Sequence, residues 1–290
     1  MDRAKRKYII SLLLFGSNGV WAAQIPLAGQ QIIFYRTALG GMLLFGLLLL
    51  LRKHQRPLAG KQVVGAALSG AALGGAWMCL YGAYDLISVG MATMLYYCGP
   101  LLLLLFLVFV LRQSMPKEKW MGAGVIFCGL FVLSVQHLSD NWQGLLLGLG
   151  SAVGYVLTVV FDRQTKRMDG LEKAAIQLAA ACGVVVMYFI ATGESIAWPG
   201  KEGILPLLWL GVVNTAIGCY LYFSSLTKIP MGQAAVIGYV EPVSAIVFSA
   251  ICLGEHVSVL EGLGAALIIG GGIFGEKVRW SRRNQHGFSA

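Results

Sequence analysis

Apolar residues run through this chain in ten long stretches separated by short polar breaks, at about residues 8–27, 30–51, 62–83, 90–111, 119–137, 142–161, 173–192, 203–224, 231–253 and 258–276. A helix rising 1.5 Å per residue needs roughly 20 residues to cross a hydrocarbon layer of about 30 Å, and each stretch is close to that length. The pattern predicts an all-α, polytopic membrane protein with ten transmembrane helices. The first stretch follows a basic start, yet it carries Ser17 and Asn18 in mid-run and lacks a convincing small-x-small cleavage site, so it is expected to remain as an uncleaved first helix. The breaks are too short to hold a soluble domain.

The polar breaks also orient the chain. With both termini cytoplasmic, 20 of the 22 Lys and Arg residues fall on inside segments, among them Arg52, Lys53, Arg56, Arg163, Lys173 and the basic tail of 277–290. Only Lys201 falls outside, and Arg36 lies within the second stretch. The positive-inside rule therefore places both termini in the cytoplasm, and nine or eleven helices would destroy the asymmetry. The net charge of +9 is thus a topology signal and not a nucleic-acid surface. A composition 57% hydrophobic and 12% charged, with a mean hydropathy of +0.73, excludes a soluble two-domain protein. All six cysteines lie in apolar runs at no metal or redox spacing, so no cofactor or metal is expected.

Sliding the chain by 142 residues sets Tyr97-Cys98-Gly99-Pro100 on Tyr239-Val240-Glu241-Pro242, Phe106 on Phe248, Gly122-Ala123 on Gly264-Ala265 and Gly129 on Gly271. The repeat divides the protein into residues 1–138 and 139–276, with the tail beyond. Five helices per repeat is an odd number, so the second repeat starts on the opposite side of the membrane: the two are inverted, an architecture by which transporters build two alternative openings around one midplane site.

Candidate chemistry centres on Glu241, a carboxylate in the middle of an apolar helix, where a charge costs roughly 2.5 kcal/mol or more and is kept for function or for a partner. Helical spacing puts it on a stripe with Ala234, Gly238, Ser244, Ala245 and Phe248, small enough for a cavity wall or a tight interface. Pro242 removes the donor that would meet the Gly238 carbonyl, leaving that oxygen for a cation or water. Trp77 and Tyr81 share a stripe of the third helix. With Tyr97, Tyr155 and Tyr239 they are cavity candidates, whereas Tyr84 is expected in the interfacial aromatic belt. Arg36 either snorkels, pairs with Glu241 or holds a substrate carboxylate. Asn18 and Asn214 are buried amides that either bridge helices or touch substrate.

The runs Glu241-Pro242-Val243, Leu253-Gly254-Glu255, Gly262 to Ile268 and Gly270-Gly271-Gly272 resemble the closing helix pair of the drug/metabolite transporter superfamily, in its ten-helix EamA-type branch. Phe15-Gly16-Ser17-Asn18 is similar to the Trp-Gly-Ser-Asn of that family's first helix, and Tyr35-Arg36-Thr37 to the start of its second. The resemblance implies a bacterial inner-membrane carrier, mostly exporting, for amino acids, amines and other small metabolites. Three departures stand out: Phe15 for Trp, Arg112-Gln113 where the second half has Gly254-Glu255, and Gln177 in the place of Arg36.

The expected function is secondary transport by alternating access, with Glu241 coupling to protons if it exchanges one, or binding a cationic substrate if it stays ionised. The expected partners are a small-molecule substrate, protons and the lipid bilayer, with the chain acting as monomer or homodimer. The alternative is an oligomeric channel or uniporter. An enzyme is not expected, since no H-E-x-x-H or G-x-S-x-G motif is present and all four histidines fall at span ends, in loops or in the tail.

Overall fold

The computed structural model of the protein describes residues 2–51, 60–87, 89–134, 141–254 and 258–277. Arg52, Lys53, Arg56, Glu255, the four histidines, the repeat boundary at residue 138 and the basic tail past Lys277 lie outside the described residues. Those described are helical throughout, apart from short turns, and make ten passes.

The first pass is α1 (Arg3–Gly16) followed by the short α2 (Asn18–Ala22). The second and third are the unbroken α3 (Gly29–Leu51) and α4 (Gly60–Tyr84). The fourth is split into α5 (Val89–Tyr97) and α6 (Gly99–Phe109), and α7 (Lys117–Ser134) closes the first half. The second half repeats the plan with α8 (Trp142–Asp162), α9 (Gly170–Thr192), a pass of α10 (Gly200–Trp209) and α11 (Gly218–Leu226), a split pass of α12 (Met231–Ile237) and α13 (Val240–Phe248), and α14 (Val259–Lys277). Local chemistry sets the ends. Asn141 Oδ1 accepts from the Gln143 and Gly144 amides to start α8, and Asp169 caps α9, which stops at Gly193 in the left-handed region.

Among the described residues, seven helical stretches are long and apolar enough to span a bilayer, with passes four, eight and nine counted across their breaks, and Lys119–Val132 and Gly262–Gly272 are shorter apolar helices. The breaks have causes. Pass four tightens at Cys98 and pass nine at Gly238–Tyr239, each within the turn that precedes its proline. Here one expectation is corrected: the Gly238 carbonyl is not left free, because the chain tightens to a three-residue turn and the Glu241 amide donates to it at 3.1 Å. Between α10 and α11, residues Leu210–Ile217 widen into a π-helix.

The packing obeys the inverted repeat. Exchanging each pass with the one five later turns the α4–α8 contact into the contact of pass eight with α1, and the contact of α8 with pass four into that of α1 with pass nine. The α3–α9 and α7–α14 contacts map onto themselves. Two glycines carry the symmetry to the atom: a Cβ on Gly129 would lie 2.8 Å from the Gly264 carbonyl, and one on Gly271 would lie 2.7 Å from the Gly122 carbonyl. These are reciprocal contacts under the 142-residue shift, so the two-fold axis runs between α7 and α14 there, and only glycine allows the approach.

Candidate functional site

The split passes one, four and nine, with α3 and α4, surround a cavity of about 630 Å³ that reaches from the middle of the bundle to the face opposite the chain ends. We call the face bearing the start of α1 and the end of α14 the terminal face. The cavity mouth is formed by residues at the far ends of their passes, Ala23, Tyr84, Thr93 and Leu253. Its deep end gathers Arg36, Glu241, Asn18, Trp77, Tyr97 and Phe15.

Arg36 does not snorkel. Its side chain is only 2% exposed, its Nε donates to Thr215 Oγ1 at 2.9 Å, and its guanidinium carbon sits 4.5 Å from the centre of the Trp77 ring. Thr215 is aimed by the π-helix, where its own hydroxyl donates to the Leu210 carbonyl at 2.8 Å. A hydrogen bond and a desolvated cation–π contact of about 2 kcal/mol thus fix the guanidinium, while Nη2 is buried with no hydrogen-bond partner. A buried cationic donor left unsatisfied is costly, and an anionic group would satisfy it.

Glu241 lies in the first turn of α13 and lines the same cavity. Its stripe does both jobs anticipated for it. Ala245 faces the cavity, while Ser244, whose hydroxyl donates to the Glu241 carbonyl at 2.8 Å, packs on Gly16 of the first pass.

Of the aromatic candidates, Trp77, Tyr81 and Tyr97 line the cavity. Tyr155 lies one layer deeper: it packs on Gly99, stands edge-on to Tyr96 at 6.2 Å, and borders a void of about 40 Å³ that also touches Glu241. Tyr239 is apart from the central cavity. Two residues before Glu241 on a helix is nearly the opposite face, so Tyr239 turns into a pocket of Ile126, Leu130 and Ile268 and borders an apolar crevice beside α14. Tyr84, expected at the interfacial belt, instead lines the cavity and shares a hydrogen bond of 3.1 Å with Thr93. Asn18 lines the cavity. Asn214 stands behind it, fully buried, donating to the Leu14 carbonyl, Ser17 Oγ and Asn18 Oδ1 at 2.8–3.0 Å, and so holds the break in the first pass in place.

Sequence reasoning left Thr215 out, since a lone threonine in an apolar run carries no signal before the π-helix is seen. It also left out the closure of the terminal face. There Lys173 Nζ meets Asp162 Oδ1 at 3.0 Å, the two side chains 2% and 0% exposed. Gln177 Nε2 donates to the same Oδ1 at 3.0 Å and to Ser69 Oγ at 2.8 Å. Lys173 reaches Thr227 Oγ1 at 3.4 Å, and Arg163 donates to the Thr227 and Ile229 carbonyls. Above this network Tyr8 and Tyr222 pack at 5.2 Å, and the Tyr8 hydroxyl donates to the Ala234 carbonyl at 3.2 Å.

Comparison with known proteins finds the sequence profile described as the EamA-like transporter family matching twice, over residues 8–135 and again over 142–274. The chain belongs to this family. Two matches, one per half, coincide with the repeat. Among relatives, this EamA-like transporter is 26% identical over 236 residues to the uncharacterized inner membrane transporter YedA of Escherichia coli K12, covering 79% of this chain and 75% of that one. It is 22% identical over 271 residues to the uncharacterized transporter YxxF of Bacillus subtilis, covering 91% and 86%. A solved crystal structure superposes with a TM-score of 0.80 at 20% identity over 97% of this chain and 98% of its own, which shows that the fold is shared. The protein is therefore a multi-pass membrane transporter, and the cavity between its halves is the candidate transport site.

Proposed function

We propose that this EamA-like protein is a secondary active carrier that exports a small metabolite bearing an amino or other cationic group, and in the fullest use of the site an amphoteric one such as an amino acid. The observation carrying this reading is one cavity, open to a single face, whose deep end holds one cation, Arg36, and one carboxylate, Glu241, among aromatic walls. Its volume suits one small solute. Glu241 takes the substrate's cationic group or a coupling proton, and Arg36 takes a carboxylate. The halves 1–138 and 139–276 rock about the site so that it faces each side in turn, as inverted repeats do. The charge asymmetry supports a bacterial inner-membrane setting with both termini cytoplasmic, in which the open mouth faces outward.

Counterflow tests the reading. Proteoliposomes loaded with an unlabelled amino acid or amine should transiently accumulate the labelled solute with no ion gradient. Ion conductance without such exchange would establish a channel and overturn the carrier.

A further inference from the structure

The buried network on the terminal face takes no part in the cavity, yet it lies where the second opening has to form. The open cavity is walled by passes one, two, three, four and nine. Exchange of the halves turns these into passes six, seven, eight, nine and four. The network ties together three of those five: Asp162 and Arg163 close pass six, Lys173 and Gln177 begin pass seven, and Thr227 follows pass eight. Residue counterparts agree. At a shift of 141 or 142 residues, Gln177 stands for Arg36, Tyr222 for Tyr81 and Ala235 for Thr93, and all three are buried.

The geometry points to a latch: opening of the terminal face parts Asp162 from Lys173, and this pair sets how often that opening occurs. The inference rests on the alternating-access reading above. Two charges taken from water lose hydration and recover it through their mutual attraction and the added hydrogen bonds from Gln177 and Thr227. When the face opens, water replaces the lost partners. The pair is therefore satisfied in both states, shut and open, as a switch must be. An apolar seal differs, because opening would wet it and the shut state would dominate. The latch is one-sided: the counterparts of Asp162 and Lys173 near the other face are Val20 or Trp21 and Gln31 or Ile32, all uncharged.

The test uses the full-length protein in proteoliposomes, with its six cysteines replaced and Ala235→Cys as the sole thiol, fully buried in the shut state. A membrane-impermeant methanethiosulfonate is applied from the terminal face and the labelling rate is followed. Lys173→Met leaves Asp162 without its cation and should raise the rate about tenfold or more. Asp162→Leu combined with Lys173→Met should instead lower it severalfold below the parent, and the exchange Asp162→Lys with Lys173→Asp should restore the parent rate. The last two variants fill the site, so they decide the matter if the single variant fails to accumulate. Equal rates in the parent, the apolar double variant and the charge exchange would overturn the latch alone. Absence of labelling in every variant, while the parent still exchanges solute, would overturn the rocking motion beneath it.

Discussion

A guanidinium under a tryptophan and a carboxylate across the same cavity divide the chemistry of transport between two side chains. Glu241→Gln keeps the volume of the side chain and removes its charge and its titration. We expect it to leave the melting temperature of the purified protein within a few degrees of the parent while abolishing counterflow of amines and proton-driven transport; parental transport would make Glu241 structural. Arg36 separates substrate classes. Arg36→Ala should weaken an amino acid by about tenfold or more, the loss expected when a buried charge-assisted contact goes, and spare a pure cation. Thr215→Val tests how Arg36 is held. Removing the hydroxyl that accepts from Nε at 2.9 Å should raise the Kd for the amino acid severalfold without altering that for the cation. Equal losses for both solutes, read by isothermal calorimetry, would point to a collapsed cavity in place of a misaimed guanidinium.

Helices end and break where backbone chemistry requires it, and the two halves solve the same problem with different residues. Pass nine ends at Gly254 with φ +68°, a left-handed conformation that glycine adopts freely. Its counterpart at the end of pass four is Arg112, which holds φ +50° and is the only non-glycine residue with positive φ among those described. A side chain there strains the backbone by roughly 1 kcal/mol, so Arg112→Gly should stabilise the protein by about that amount, seen as a rise in thermal midpoint in detergent. No rise, or a fall, would mean that the Arg112 side chain makes up the strain through its surroundings. The departure from Gly-Glu at this point was visible in the sequence; its backbone consequence was not. The same division holds throughout. The ten passes were legible because each is an apolar run with polar ends, and the repeat because Tyr-x-x-Pro recurs at one spacing. Arg36, Glu241, Trp77, Tyr81, Tyr97 and Asn18 were legible as polar or aromatic residues deep in those runs, and they share one cavity. Tyr239 was placed on the same grounds, but two residues before Glu241 it falls on nearly the opposite face and packs with Ile126, Leu130 and Ile268. Thr215 and the Asp162–Lys173 pair were hidden for opposite reasons. The first is made useful by a π-helix that no local pattern announces, and the second sits at helix ends where charges ordinarily face water.

At the scale of the whole molecule, symmetry and charge together supply a test of which way the cavity points. The contact of α7 with α14 maps onto itself in the exchange of halves, and Gly129 and Gly271 lock it by close backbone approach, so this pair can stay still while the other passes rearrange around it. The remaining passes form one deep opening away from the chain ends and one sealed, charged closure beside them. Among the described residues, Lys and Arg crowd the side of the closure, while Lys201 starts α10 at the opposite end. If that side is the cytoplasm, single cysteines at the mouth should react from outside the cell while those behind the latch should not. In a cysteine-free protein expressed in intact bacteria, Ala23→Cys and Leu253→Cys, both at the mouth, should be blocked by an impermeant thiol reagent within minutes, and Ala235→Cys should be blocked at least about a hundredfold more slowly. A carboxy-terminal fluorescent-protein fusion that folds only in the cytoplasm should glow in the same cells. Protection of Ala23→Cys and Leu253→Cys together with a dark fusion would reverse the orientation. Rapid blocking of all three positions would mean that the two openings coexist, and the protein would be a pore.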